Sequence, residues 1–298
     1  MGDLIKKLRE MTGAGFVDCK KALENSNNDL DAAIEWLQKN GAAKAVKKSS
    51  NIAADGLVSI SKDDENVVIY EVNSQTDFVA MNEDFKKLVD KIGKILVKNN
   101  FSSIEESLSL KDENGKTIEE LTMEATAKIG EKIALRRAKK VSLKNNIGVG
   151  MYVHFDGKKA SLIVCEGGNE ENLKGVAMHI TAMNPTYLNE KAVPSSKIED
   201  LKLEFSKSPA LEGKPEKIKE SILAGMLRKE LSNYTLTEQD YVVEPGKTVG
   251  KFLQDINAKE IEMIRFEVGE GIEKQEVDFA AEVAAEYRRR KRRRMRRS

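Results

Sequence analysis

A hairpin, a short loop and a helix follow one another twice in this chain, and that repetition limits the fold more than any other feature. Gly56 to Ile60 and Val67 to Val72 read as two strands, with Lys62-Asp63-Asp64-Glu65-Asn66 as their turn. A loop comes next. A helix is then predicted from about Asn82 to Lys98, where Phe85, Leu88, Val89, Ile92, Ile95 and Leu96 keep helical spacing. Gly148 to Phe155 and Ala160 to Cys165 form the second hairpin around Asp156-Gly157-Lys158. A helix from about Glu170 to Met183 follows and is ended by Pro185, which cannot continue it. The pattern predicts an α+β fold with two related subdomains, each a small antiparallel sheet covered by helices on one face. A helix near residues 117 to 139 is expected to complete the first, and a strand from Met263 to Val268 the second.

Helices flank and interrupt this core. Leu4, Ile5 and Leu8 fall at helical spacing, and Thr12-Gly13-Ala14-Gly15 breaks the helix. A second helix carries Val17 and Leu23. A third, capped by Asn28 or Asp29, carries Leu30, Ala33, Ile34 and Leu37 and is expected to stop at Gly41. Two readings of this small three-helix unit stay open: a folded cap, or a module that docks on a partner. Residues 42 to 55 are a linker or a helix leading into the core. Ile198, Leu201 and Phe205, then Leu223, Leu227 and Leu231, predict an antiparallel helical hairpin broken at Pro209, Gly213 and Pro215. Two ordinary surface helices are the alternative. A last helix is expected from about Asp278 through Tyr287. The expected divisions are 1–55, 56–140, 141–275 with the hairpin inserted at about 195–233, and 276–298.

The net charge of +1 hides an uneven distribution. From Arg288 to Arg297 there are nine basic residues, one Met and no acid. Without those nine, 41 Lys and Arg face 49 Asp and Glu, so the body carries −8. Such a body is unlike a nucleic-acid groove, and no DNA partner is expected. RNA, if bound by charge, meets the basic run, either as a weak attachment or not at all if that run is simply solvated. Cys19 and Cys165 make no disulfide framework, which fits a reducing compartment. No apolar run reaches the ~18 residues of a membrane span, and the start lacks a signal-peptide core. A cytoplasmic location is expected.

Catalytic signatures are missing. His154 and His179 have no partner at zinc-ligand spacing, and no GxSxG elbow occurs. Gly246-Lys247-Thr248 resembles the end of a phosphate loop, but Tyr241 stands where that motif needs glycine. Gly148-Val149-Gly150 and Gly269-Glu270-Gly271 each lack the third glycine of a dinucleotide fingerprint. His179, beside Met178 and Ile180 on a helix, reads as a core histidine rather than a ligand. The expectation is a binding protein with no metal and no cofactor, against the alternative of a small α+β enzyme.

One loop stands out. Thr76-Asp77-Phe78-Val79 lies between a strand and a helix. Locally, Thr76 or Asp77 could cap the helix while Phe78 enters the core. Alternatively Asp77 and Phe78 sit at an exposed tip, where Phe can wedge into an apolar cleft and Asp disturb a neighbouring cation or phosphate. Residue types alone leave both readings open.

The chain resembles bacterial elongation factor Ts, the guanine-nucleotide exchange factor for elongation factor Tu. The likeness runs through Leu8-Arg9-Glu10-Met11-Thr12-Gly13-Ala14-Gly15, Asp18-Cys19-Lys20-Lys21-Ala22-Leu23 and Ala53-Ala54-Asp55-Gly56. It continues in Glu71-Val72-Asn73, Thr76-Asp77-Phe78-Val79-Ala80, Lys128-Ile129-Gly130-Glu131, Ala177-Met178-His179 and Lys247-Thr248-Val249-Gly250. It ends in Ile264-Arg265-Phe266-Glu267-Val268-Gly269-Glu270-Gly271-Ile272-Glu273. The resemblance implies a small N-terminal three-helix, UBA-like domain, a two-part core, a protruding helical hairpin and a C-terminal helix. It implies that Asp77 and Phe78, flanked by Thr76 and Val79, enter elongation factor Tu near its Mg²⁺ site. Ile129 and Gly130 would support that contact, and His154 would help hold the partner's third domain. The basic run is a departure from the family pattern.

Overall fold

The computed structural model describes residues 1–144 and 146–273. The expected final helix from Asp278 and the basic run lie outside the described residues. Three helices open the chain: α1 (Gly2–Thr12), α2 (Phe16–Asn25) and α3 (Leu30–Lys48). Gly13 ends α1 in the left-handed conformation at φ 67°, and the Asp29 side chain caps α3 by accepting from the Ala32 N–H. Leu8, Cys19, Ala22, Leu23 and Ala33 close a small core of their own. The third helix does not stop at Gly41. Gly41 sits inside it at the crossing with a later helix, where an added Cβ would stand 3.1 Å from the Ala127 Cβ. Close approach, rather than termination, explains that glycine.

The first sheet is β1 (Asp55–Lys62), β2 (Asn66–Ser74) and a third strand. Asp63 closes the first turn by accepting from the Glu65 and Asn66 N–H groups. One helical turn, α4 (Asp77–Ala80), precedes α5 (Glu83–Lys98), which Asn82 caps. After α6 (Ile104–Ser109) comes α7 (Ile118–Ile129), opened by a capping box between Thr117 and Glu120. The single helix expected over 117 to 139 is in fact α7 followed by β3 (Ala134–Ser142). Gly130, at φ 90°, ends the helix, and β3 then pairs antiparallel with β2.

The second sheet repeats the plan with β4 (Ile147–Val153), β5 (Lys159–Glu166), α8 (Glu170–Met183) and, at the end, β6 (Lys259–Glu267). Between α8 and β6 lie the hairpin helices α9 (Ser195–Ser206) and α10 (Glu216–Leu231), then α11 (Val249–Asp255). The two hairpin helices pack on each other, yet α9 buries no residue and α10 only Leu231. Lys197 fixes their base, its ammonium 4.0 Å from the centre of the Tyr234 ring.

The sheets stack face to face. Val67 and Ile69 of β2 meet Ala160, Leu162 and Val164 of β5 in one core. Val68, Tyr70 and Val72 point the other way, onto α5 and α7. Ile163 and Cys165 point onto α8 and α11. Alternate residues of each central strand therefore serve different cores, and the fold is α+β in four layers: helices, sheet, sheet, helices. No described helix is long and apolar enough to cross a membrane.

Candidate functional site

The loop after β2 is built to display two side chains. In α4, Val79 and Ala80 are buried in the core beneath α5, whereas Asp77 is exposed and Phe78 keeps 77% of its surface in solvent. Phe78 therefore does not enter the core, and Asn82 rather than Thr76 or Asp77 caps α5. Val79 anchors the turn from below. The turn is closed by Met81 N–H donating to Asp77 O at 3.1 Å and Asn82 N–H to Val79 O at 3.0 Å.

The segment after α7 clamps the loop's near end. Thr76 donates its backbone N–H to Glu131 Oε2 at 3.0 Å and its hydroxyl to Glu131 Oε1 at 2.9 Å. Gln75 Oε1 accepts from the Lys132 N–H at 2.8 Å and from Asn51 Nδ2 at 3.2 Å. Ile129 is half-buried against the core under the loop, and the left-handed Gly130 turns the chain so that Glu131 faces Thr76. Thr76 to Val79 thus sit together with Ile129 and Gly130. The three-helix unit reaches the same place. A Cβ on Gly13 would overlap Lys128 Cε at 2.1 Å, and Lys128 Nζ binds Asp84 Oδ2 at 2.8 Å. That hydrogen bond holds the Asp84 carboxyl below its usual pKa.

His154 stands elsewhere on the same end of the molecule, in the β4–β5 turn. Lys158 of that turn binds Asp55 Oδ1 at 2.8 Å, and Asp55 pairs with Ser74 at the strand end from which the loop emerges. His154 Nδ1 lies 2.8 Å from Asp156 Oδ1. Burial works against the Asp156 carboxylate, but the Lys158 N–H and the His154 ring hold its pKa below the usual value. Beside His154, with ring centres 4.4 Å apart, is Phe155, 92% exposed. The strand expected to run to Phe155 ends at Val153, so Phe155 lies in the turn. The signal for its exposure is an aromatic placed directly before Asp156-Gly157.

A buried ion cluster joins these parts. Glu71 of β2 is fully buried and accepts from Arg136 Nη1 at 3.1 Å, Arg137 Nε at 2.6 Å, Asn73 Nδ2 at 3.0 Å and the Gly269 N–H at 2.8 Å. Neighbouring residues of a regular strand face opposite ways, so Arg136 and Arg137 could not both reach one carboxylate. A bulge resolves this: Glu71 pairs with Arg137 and Val72 with Leu135, leaving Arg136 as the extra residue.

The two histidines do different work. His179 lies buried on α8, its Nε2 2.9 Å from Gln239 Oε1 and its Nδ1 accepting the Val242 N–H at 3.3 Å. It is a core histidine, as its sequence setting predicts. Among the described residues no group of three or more His, Cys, Asp or Glu is placed to hold a metal ion.

Asp77 and Phe78 thus stand in solvent on one clamped turn, and Phe155 stands in solvent on another. Comparison with known proteins places the chain in a family. The family profile "Elongation factor TS" matches residues 75–270, and "Elongation factor Ts, mitochondrial, N-terminal" matches residues 2–45. Elongation factor Ts of Mycoplasmopsis pulmonis is 56% identical over 285 residues, covering 96% of this chain and 97% of that one. Elongation factor Ts of Mycoplasma mobile is 51% identical over 281 residues, covering 94% and 96%. That of Acholeplasma laidlawii is 46% identical over 287 residues, covering 95% and 97%. By class, then, the chain is a translation elongation factor, serving protein biosynthesis. Within that class it belongs to the elongation factor Ts family.

Proposed function

We propose that this chain binds elongation factor Tu carrying GDP and promotes release of the nucleotide, acting in the cytoplasm by protein contact and not by catalysis. The observation that carries this reading is Phe78, held in solvent on a turn whose two ends are fixed. Phe78 wedges into the partner's nucleotide domain while Asp77 displaces Mg²⁺ beside it. Thr76 and Val79 keep that turn in shape, and Ile129 and Gly130 support it from behind. His154, with Phe155, holds a second part of the partner.

Exchange is a coupling between two binding events. A factor that weakens nucleotide binding is weakened by nucleotide to the same extent. Each tenfold gain in release rate needs about 1.4 kcal/mol of barrier lowering. Burying one Phe yields roughly 1.5–3 kcal/mol, so Phe78 supplies one to two decades. Anything faster draws on Mg²⁺ displacement and on grip elsewhere in the chain, for which the three-helix unit and residues 278–287 are the proposed sources. The experiment is release of a fluorescent GDP from elongation factor Tu on adding this chain. Unchanged release at saturating chain would sink the reading.

A further inference from the structure

We infer that Glu71 is a positioning residue that locks the Asp77-Phe78 turn, the His154-Phe155 turn and the segment after β6 into one rigid edge. This rests on the exchange reading for its functional meaning, but its structural content stands alone.

The hydrogen bonds from Glu71 run in three directions. Toward the first turn, Asn73 Nδ2 bridges Glu71 Oε1 and Asp55 O, both at 3.0 Å. Ser74 then donates to Thr76 O at 2.9 Å, where the displayed loop begins. Toward the second turn, Asp55 receives Lys158 Nζ at 2.8 Å, and Lys158 O accepts the Val268 N–H at 2.9 Å. Toward the chain's last described residues, Glu71 takes the Gly269 N–H, and its two arginines continue outward. Arg136 donates to Glu270 O, while Arg137 donates to Glu267 O at 2.9 Å and Glu270 Oε2 at 3.1 Å. The Arg137 guanidinium also stacks 4.1 Å above the Phe266 ring.

In this cluster Glu71 is matched by Arg136 and Arg137, and Glu270 by Arg137 and Arg265. A carboxylate with no exposed surface is costly to keep unless its charge is matched and its lone pairs are filled. A core requirement alone is met more cheaply by an apolar residue, because replacing a buried ion cluster with hydrophobic side chains is often neutral or stabilising. What an apolar residue cannot do is fix register and direction among three separate segments. Gly269 shows how tightly they meet: at φ 73°, a Cβ there would lie 2.3 Å from Ala54 O. The edge matters because a loop that must enter a partner loses rate steeply with small misplacements.

The test uses the full chain with Glu71→Gln, which keeps the shape and removes the charge. Arg137→Lys is the second variant, and it decides the matter should the first fail to fold. Amide hydrogen exchange is measured by mass spectrometry, beside saturating GDP release from elongation factor Tu. The expected result is faster exchange, by about tenfold, in residues 75–80, 154–158 and 266–271 together, with the three-helix unit unchanged. Saturating release falls by about tenfold while the half-saturating concentration stays within about threefold. If only residues 266–271 loosen and the loop keeps its protection, Glu71 is a local structural residue and the inference is overturned. It is overturned equally if a folded variant releases GDP at the wild-type maximum. Should wild type itself fail to speed release, the exchange reading falls, and the hydrogen-exchange arm still decides the coupling without any partner.

Discussion

The sixth residue of β2 is Glu71 and the sixth of β5 is Val164, and directly after each the pairing with the third strand slips by one. In the first sheet the extra residue is Arg136, and in the second it is Ile261. Both are the third residue of their strands. One backbone plan thus carries two chemistries. In the first sheet the bulge turns a pair of arginines onto a buried acid. In the second it only leaves Ile261 half in solvent above an apolar Val164. The loops that follow differ in the same sense. From the end of β2 to the cap at Asn82 run residues 75–81, including α4. From the end of β5 to the cap at Asn169 there are only Gly167 and Gly168. The added turn and the added charges occur in the same copy.

The sharpest way to break this comparison is to make the first copy resemble the second. Glu71→Val copies Val164 but strands Arg136 and Arg137, which are mostly buried. Removing one partner of such a cluster should cost about 3 kcal/mol. Val164→Ala removes two buried methyl groups and should cost about 2 kcal/mol. Urea unfolding midpoints measure both. A Glu71→Val chain as stable as wild type would mean that the cluster contributes nothing net.

Next in size is Phe78→Ala, which strips the displayed side chain from the added turn. Saturating GDP release should fall by one to two decades, from the roughly 1.5–3 kcal/mol of Phe burial. Folding stability should stay within about 0.5 kcal/mol, because Phe78 buries little in the free chain. Phe155→Ala, in the second copy, should instead raise the half-saturating concentration several-fold with the maximum rate kept. If both substitutions changed the same parameter, the division into trigger and grip would fail.

Much of the plan was legible because each copy carries strong local signals. Both hairpins, α5, α8 and the helical pair at Ser195–Ser206 and Glu216–Leu231 fall where spacing and turn residues put them. What escaped depends on contacts distant in sequence. Residues 134–142 are rich in Lys and Arg, which suit a helix surface. Their side chains are consumed by remote partners: Arg136 and Arg137 by Glu71, and Lys140 by the Val97 and Asn99 carbonyls at 2.8 Å. Tertiary pairing overrides propensity there. The stacking of the two sheets did leave a trace. Val67-Val68-Ile69-Tyr70 and Leu162-Ile163-Val164-Cys165 are apolar without alternation, as strands buried on both faces must be. At the site, Asp77 and Phe78 were readable as an exposed pair or a buried one. Only the packing of Val79 and Ala80 decides which residues of the turn face out.

The helical layers differ too, and pH exposes the difference. His179 on α8 has no counterpart on α5. Burial pushes its pKa below the usual 6.5, and the Gln239 hydrogen bond only partly opposes that shift. The folded chain therefore takes up the proton less readily than the unfolded chain. The stabilisation is complete above pH 6.5 and is lost as pH falls through the lowered folded value, with a slope no steeper than about 1.4 kcal/mol per pH unit. Protonation at Nδ1 would set a donor against the Val242 N–H. His179→Gln should flatten stability against pH below 6.5 in urea titrations. A slope unchanged in that variant would assign the acid sensitivity to other groups.

The smallest effect is expected from the end of the chain, outside the described residues. The basic run from Arg288 to Arg297 adds nine positive charges to a body that carries −8. If the first copy holds the trigger, a chain ending at Tyr287 should release GDP within about twofold of wild type at saturation. RNA affinity is the property that should change. Attachment by nine charges weakens steeply with salt, because each neutralised phosphate releases counterions. The shortened chain should bind RNA less tightly at low salt and with a shallower salt slope, as measured by fluorescence anisotropy. Equal RNA binding by both chains would remove that role from the basic run. A large loss of exchange would instead move part of the trigger out of the first sheet and into the C-terminal residues.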